Sequence, residues 1–177
     1  MTFNFTRFPT LKSERVLLRP LTFKDTKAVF DLRSSKEINK FIGTKRIESL
    51  DESKDFIKVC HNLYEEKKRV FWLIEFNNEV IGSIVLHQIS IHNNYAEIGY
   101  KLKPEYQHKG LMSEAFKAVL NFGFNNLNLK TIEAFTHKNN LASITLLKRY
   151  DFVFQKDRKC NTYDFNRIFK LVNGSSI

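Results

Sequence analysis

The segment from Pro104 to Ala118 constrains the fold most strongly, because it joins a short polar turn to an amphipathic helix. Pro104 blocks a helix before the turn, and Gly110 lets another group approach the backbone without meeting a Cβ atom. Beyond Gly110, apolar residues recur at helical spacing on one face (Leu111, Met112, Ala115, Phe116, Val119 and Leu120). The first amides of such a helix lack partners and carry the positive end of its dipole. The segment therefore predicts either an anion site, most often for diphosphate, or an ordinary loop-to-helix junction.

Composition limits the class of protein. The chain has 177 residues, 42% of them hydrophobic, and predicts a single packed domain with its core within about residues 11–172. The net charge of +10 favours anionic ligands, although the scattered basic residues match no nucleic-acid-binding motif. Cys60 and Cys160 have neither disulfide-framework nor metal-ligand spacing, so we expect no metal. The sequence has no signal-peptide pattern and no apolar run of membrane-spanning length, so we expect a cytoplasmic protein without a membrane partner.

The order of patterned segments predicts a mixed α/β sheet with helices on both faces. Asp25 is expected to cap the first helix, and Glu37–Phe41 to add a helical turn. Ser49 and Glu52 have capping-box spacing, and Asn77-Asn78 favours a hairpin turn because Asn tolerates positive φ. The helix after Ser49 should bury one side (Phe56, Val59, Cys60 and Leu63). Strands are predicted at 14–20, 68–76, 80–88, 94–102, 131–136, 152–154 and 163–171, and later helices from the 104–110 turn to about 126 and at 140–150.

Four segments, in order, resemble the GCN5-related N-acetyltransferase (GNAT) superfamily, and within it the ribosomal-protein N-acetyltransferases of the RimJ/RimL type. They are LKSERVLLRPLTFKD, EVIGSIVL, AEIGYKLKPEYQHKGLMSEA and HKNNLASITLLKRYDF. The resemblance implies the GNAT fold, a mostly antiparallel twisted sheet of about seven strands. It also implies that Glu97–Leu102 splays from its parallel neighbour, Thr131–Phe135, and that acetyl-CoA is the cosubstrate.

The resemblance also implies where the coenzyme binds. Backbone amides of the turn and the first helical turn would hold its pyrophosphate (Gln107, His108, Lys109, Gly110, Leu111, Met112 and Ser113). Met112 departs from the family's small residue, and His108 stands where the branch often has Gly. The backbone near Tyr100 and Leu102 would pair with the pantetheine arm and polarise the thioester carbonyl. Asn140 would contact the coenzyme, or would only cap its helix.

The catalytic residues are the least specified part of the resemblance. Many superfamily members have a Tyr seven residues after the Asn, where this chain has Leu147, and Tyr150 is not expected to replace it. The resemblance points to Ser143 as the donor to the departing sulfur; alternatively, Ser143 bonds its own helix backbone. Glu97 is the candidate base, or else an outward strand carboxylate. His87 and His92 are weaker candidates.

Three functions remain open at this stage. The first is acetylation of a protein N-terminus, of the ribosomal-protein type, with association with the ribosome. The second is acetylation of a small amine: a polyamine, an aminoglycoside or a metabolite. The third is a non-enzymatic module that binds acyl-CoA or RNA. Acceptor specificity is expected in residues 33–50, 88–95 and 155–165. The resemblance is compatible with a monomer or a homodimer.

Overall fold

A computed structural model describes residues 7–174 and contains one mixed sheet. Within those residues eight strands lie in the order β1-β2-β3-β4-β5-β6-β8-β7, and only the β5–β6 pair is parallel. The strands are β1 Leu11–Lys12, β2 Leu17–Pro20, β3 Val70–Phe76, β4 Glu79–Ser90, β5 Tyr95–Leu102, β6 Thr131–His137, β7 Val153–Phe154 and β8 Asn166–Val172. The helices are α1 Thr26–Ser34, α2 Leu50–Glu65, α3 Leu111–Asn121 and α4 Leu141–Arg149. This confirms the predicted fold class; the short β1 accounts for the strand beyond seven.

Each face of the sheet has its own apolar core. The larger core packs α3 and α4 against the sheet around Trp72, Phe116 and Phe169, which are fully buried. The smaller core packs α1 and α2 against the other face, around Leu32 and Ile57. Burying a side chain of this size contributes about 1.5–3 kcal/mol. The two cores explain why the helices divide between the faces, as the sequence predicts.

Local turn signals predicted the β3–β4 hairpin and the start of α2 correctly. Asn77 and Asn78 have φ values of 50° and 61°, as a two-residue hairpin turn of the primed type requires. At the start of α2, the Glu52 amide donates to Ser49 Oγ at 3.1 Å. The Glu52 carboxylate accepts from the amide of Glu48 at 2.8 Å, so the return bond of the capping box falls one residue earlier than expected.

The predicted role of Asp25 is wrong. Its side chain makes no capping bond to α1. Instead it accepts hydrogen bonds from the Thr22 amide at 2.8 Å and from Arg19 Nη2 at 2.9 Å. A short 3-10 turn, Phe23–Asp25, precedes α1, so the chain enters the helix one turn earlier than the pattern suggested. Both carboxylate oxygens of Asp25 are therefore already engaged, one by the Thr22 amide and the other by the Arg19 guanidinium, before α1 begins.

The predicted inner face of α2 is wrong in part. Cys60 is buried as expected, but Val59 is 47% exposed and the other buried positions are Ser53, Ile57 and Tyr64. Ser53 can face the core because its hydroxyl bonds to the Ser49 carbonyl at 3.2 Å. Because the buried face of α2 includes the polar residue Ser53, the pattern of apolar residues alone predicted the wrong face.

Two other helical segments differ from expectation. Residues 37–41 form successive turns and not a helix. After α3 the backbone widens into a π-helical segment, Phe122–Asn126, so the region predicted as one helix has two geometries. The predicted strands 14–20 and 163–171 begin later, at Leu17 and Asn166.

Asp151, which follows α4, offers a stability test. Its φ is 59°, the left-handed conformation that glycine adopts without strain, and its side chain is exposed. Asp151→Gly should therefore stabilise the protein by about 1 kcal/mol, a rise of about 2–4 °C in melting temperature. Asp151→Ala, which keeps a Cβ, should give no such gain. Calorimetric melting of the two variants would contradict the assignment of strain if glycine lowered the midpoint.

Candidate active site

The parallel pair at the centre of the sheet opens partway along its length. β5 and β6 pair at Tyr95–Thr131, Ala96–Ile132 and Glu97–Glu133. Within the described residues no further β5–β6 pair follows, although both strands continue. Two strand edges therefore face each other with backbone groups free for another partner. This confirms the predicted splay.

A cavity of about 340 Å³ occupies the opening and is lined from both faces of the sheet. Tyr100 and Phe135 lie on the separated strands, and Asn140 and Ser143 come from the start of α4. On the α1–α2 face the cavity is lined by basic side chains, namely those of Arg33, Arg69, His87 and Lys101. Of the segments predicted to set acceptor specificity, 33–50 reaches this cavity, whereas 88–95 and 155–165 contribute no described residue to its lining.

The N-terminus of α3 presents free amides. Gly110 has a φ of 79°, and the Glu114 amide makes the first helical bond, to the Gly110 carbonyl at 3.1 Å. The amides of the three residues between them therefore precede the hydrogen-bond ladder and lie at the positive end of the helix dipole. These residues are Leu111, Met112 and Ser113. The local geometry fits the predicted diphosphate site.

The turn before α3 is fixed by side chains. His108 has a φ of 59°, which explains physically why a glycine could serve at this position. Gln107 Nε2 donates to the Leu102 carbonyl at 3.1 Å and ties the turn to the end of β5. Arg15 Nη2 donates to the Lys109 carbonyl at 3.0 Å.

A salt bridge between Arg15 and Glu114 joins the β1–β2 turn to α3. The Glu114 carboxylate also accepts from the Arg15 amide at 3.0 Å and from Ser13 Oγ at 2.9 Å. Because Arg15 also holds the Lys109 carbonyl, this contact orients the turn that leads into the helix. Sequence reasoning missed it, since the partners are 99 residues apart and no local pattern links them.

Ser143 and Tyr100 form a hydroxyl pair in the cavity, with 2.8 Å between Oγ and Oη. The Tyr100 ring packs edge-on against Phe116, and burial raises the pKa of its phenol. The Ser143 amide donates to Asn140 Oδ1 at 3.2 Å, so Asn140 does cap α4. Its contact with coenzyme stays a prediction. The hydrogen bond of the Ser143 hydroxyl is to Tyr100, which leaves two hydroxyls able to pass a proton.

Tyr150 is engaged elsewhere. Its hydroxyl donates to the Ser113 carbonyl at 2.7 Å and lies 2.9 Å from Ser113 Oγ. The ring packs against Phe116. Tyr150 thus joins the end of α4 to the first turn of α3, and the Ser113 hydroxyl is used in this contact. Any contribution of Ser113 to an anion would come from its amide.

Glu97 lies beside the cavity in a polar cluster. The Tyr95 hydroxyl donates to Glu97 Oε1 at 3.2 Å, and Glu97 Oε2 is 3.8 Å from His87 Nδ1. Burial raises the pKa of Glu97, and burial together with Arg69 lowers the pKa of His87 to about 4. His87 is thus neutral near pH 7. Among the described residues, His87 lines the cavity and Glu97 does not. His92, the other weak candidate, is exposed on the β4–β5 turn.

The described residues offer neither a cluster of metal ligands nor a membrane-spanning helix. Within residues 7–174 no group of three or more His, Cys, Asp or Glu side chains could hold a metal ion. No helix in that range is both long enough and apolar enough to cross a membrane.

Known proteins match the chain over most of its length. A family model described as an acetyltransferase (GNAT) domain matches residues 15–153. The uncharacterised N-acetyltransferase YoaA of Bacillus subtilis strain 168 is 35% identical over 147 residues, covering 82% of this chain and 83% of that protein. The spermidine N(1)-acetyltransferase of Escherichia coli strain K12 is 28% identical over 137 residues, covering 77% and 72%.

A solved structure extends the fold comparison. RimL, a ribosomal L7/L12 α-N-protein acetyltransferase in complex with coenzyme A, superposes with a TM-score of 0.82 at 18% identity, covering 93% of this chain and 98% of that one. At this identity the likeness establishes the shared fold. Together with the family match, the opened parallel pair confirms the resemblance to the GNAT superfamily. The chain belongs to the GNAT superfamily of acetyltransferases and is an acyltransferase enzyme.

Proposed function

We propose that this protein transfers the acetyl group of acetyl-CoA to a primary α-amino group, with a protein N-terminus as acceptor. The observation that carries the proposal is the cavity lined from both faces of the sheet. It allows the coenzyme to approach from the α3–α4 side and the amine from the α1–α2 side. Holding two reactants in one orientation is itself a large part of such catalysis.

The coenzyme would be held mainly by backbone. The amides at the start of α3 would bind its diphosphate, and the free edges near Tyr100 and Leu102 would pair with its pantetheine arm. Acetyl-CoA supplies an activated thioester, so the protein need not form an acyl intermediate. The amides beside the opening would stabilise the oxyanion that forms as the amine attacks.

An α-amine suits this site better than a polyamine. Its reference pKa is about 8, against about 10.4 for lysine, so it is more readily neutral. A polyamine that loses one proton to react still carries positive charge, and Arg33 and Arg69 on the acceptor side would repel it. The name of the RimL neighbour, an α-N-protein acetyltransferase, supports the same choice.

We assign proton removal to His87, with Glu97 as a positioning residue behind it. His87 faces the cavity, and the Glu97 carboxylate lies 3.8 Å from its Nδ1. With its pKa lowered to about 4, His87 is a weak base, and a weak base is sufficient when the amine enters neutral and becomes acidic on attack. On the leaving-group side, Ser143 and Tyr100 would donate a proton toward the sulfur.

The assignment predicts how the kinetics change. His87→Gln should lower kcat by about 100-fold, and Glu97→Gln by about tenfold, with acetyl-CoA affinity nearly unchanged. The imidazole loses its charge as pH rises through about 4, so His87 should add no inflection to kcat/KM near 6.5. The kcat/KM value should instead rise to the pKa of the amine, about 8. His92→Gln is the matched control, and unchanged turnover at saturating substrate would remove either residue from the mechanism.

The acceptor class is tested by acetyl-CoA turnover on two panels. One contains peptides that vary at the N-terminal residue, and the other contains polyamines and aminoglycosides. We expect turnover on α-amines. The similarity to a spermidine N(1)-acetyltransferase favours a small amine as the second candidate, and turnover confined to the second panel would establish that function instead. Coenzyme binding without turnover on either panel would identify a binding module.

A further inference from the structure

Two guanidinium groups line the acceptor side of the cavity and have no anionic partner among the residues that the structure describes. The Nε atoms of Arg33 and Arg69 are both buried and have no hydrogen-bond partner within residues 7–174. Neither side chain forms a salt bridge with a carboxylate in that range. Arg33 stacks over the Phe56 ring at 3.9 Å, and Arg69 Nη1 lies 3.9 Å from Cys60 Sγ. These soft contacts position both groups without neutralising them.

Other basic side chains extend the same lining. Lys101 donates from Nζ to Asn39 Oδ1 at 2.5 Å, and His87 lies on the neighbouring strand. Burial and the charge of Arg33 lower the pKa of Lys101 to about 7. Burial and the charge of Arg69 also lower the pKa of Arg33. Among the described residues, the carboxylate that contacts one of these four basic side chains is that of Glu97, which lies 3.8 Å from His87 Nδ1.

An arrangement of this kind is unfavourable without a ligand. A buried charge costs free energy unless it is paired, and neighbouring positive charges add repulsion. By contrast, the guanidinium groups of Arg19 and Arg158, elsewhere in this chain, each contact a carboxylate. The basic lining therefore stands out as a site prepared for an anion. Its position on the acceptor side separates it from the amides of α3.

We propose that the acceptor carries a carboxylate or phosphate group close to its reacting amine, and that Arg33 and Arg69 bind this anion. The inference rests on the proposed function and names its substrate class. An acidic first residue of a peptide and the α-carboxylate of a free amino acid present the same chemistry. Lys101 supplies a third positive group below about pH 7.

The kinetic test uses acceptors that differ only in the anion. The pairs are peptides beginning with Asp or Asn, peptides beginning with Glu or Gln, peptides beginning with phosphoserine or serine, and free alanine or alaninamide. We expect the anionic member to have at least a tenfold higher kcat/KM, since a charge-assisted hydrogen bond contributes about that factor. A preference in the peptide pairs would identify the anion as the side chain of the first residue. A preference in the free amino acid pair would identify it as the α-carboxylate. Equal rates within all pairs would overturn the proposal.

Variants connect the preference to the two guanidinium groups. Arg33→Gln and Arg69→Gln should reduce it to about twofold, whereas Arg69→Lys should keep part of it. Arg149→Gln, an exposed arginine in the last turn of α4, is the control and should keep the full preference. A preference that survives in both Gln variants would assign anion recognition to other residues.

A binding measurement separates this proposal from the acetyl-transfer function. Calorimetric titration of the full chain with inorganic phosphate and with glutarate, at constant ionic strength, requires no turnover. We expect binding that weakens at least about tenfold in Arg33→Gln and Arg69→Gln but not in Arg149→Gln. Such a result without acetyl transfer would retain the anion site and reject the proposed function. Equal binding by all four proteins would reject the anion site, whatever the turnover.

Discussion

Gly110→Glu should weaken coenzyme A binding by at least about 100-fold, or about 2.7 kcal/mol. Its side chain would bring a negative charge to the amides that precede the helical ladder of α3, where we place the diphosphate. The backbone there has a φ of 79°, so any side chain is also strained, by about 1–2 kcal/mol. A Cβ atom would lie 3.1 Å from Arg15 Nη2, which holds the turn.

Gly110→Gln separates charge from strain, because it has the same size and backbone conformation without the carboxylate. We expect it to lose the same thermal stability as Gly110→Glu but to bind coenzyme A at least tenfold more tightly. Isothermal titration calorimetry with coenzyme A and acetyl-CoA measures affinity, and melting curves compare folding. Equal affinities for the Glu and Gln variants would place the diphosphate away from this helix start.

Ser143→Ala should lower kcat by about 100-fold while the Kd for acetyl-CoA changes little. The Ser143 hydroxyl is paired with Tyr100 at 2.8 Å and is the donor assigned to the departing thiolate. Burial raises the pKa of Tyr100, so its phenol stays protonated at neutral pH. Tyr100→Phe should therefore also lower kcat, and the double variant should lose less than the sum of the two effects.

Thr145→Ala is the control for this pair, because Thr145 is an exposed hydroxyl residue on the same helix. It should keep the kcat of the unmodified protein. Continuous detection of released thiol gives kcat, and titration gives the coenzyme affinity separately. A Ser143→Ala variant with unchanged kcat would assign protonation of the sulfur to Tyr100 or to water.

Local chemistry made part of the fold predictable. Asn77-Asn78 specifies its hairpin through its own positive φ values, and Ser49 caps α2 through a bond to a residue three positions away. The start of α3 at Gly110 could likewise be predicted from neighbouring residues alone. Asp25 had an equally good local signal, but its carboxylate binds Arg19 and the Thr22 amide instead of the first amides of α1. Local rules failed where a charged group from another element competed.

The acceptor side of the site was much harder to predict. Arg33 lies on α1, Arg69 just before β3, His87 on β4 and Lys101 on β5, and tertiary folding brings them to one cavity. No local pattern in the sequence links these four residues, because each lies in a different segment of the chain. The predicted diphosphate site lies in one continuous segment, which a local pattern can reveal, whereas the proposed acceptor side is built from four separate elements.

The most direct test of the central claim is acetyl transfer itself. The purified protein would be incubated with acetyl-CoA bearing a deuterated acetyl group and with the N-terminal peptide panel, and the products identified by fragment mass spectrometry. We expect the label on the α-nitrogen, at a rate that falls about 100-fold in Ser143→Ala. Coenzyme binding without a labelled α-amine on any peptide would contradict the proposed function. Labelling at an unchanged rate in Ser143→Ala would contradict the proposed mechanism.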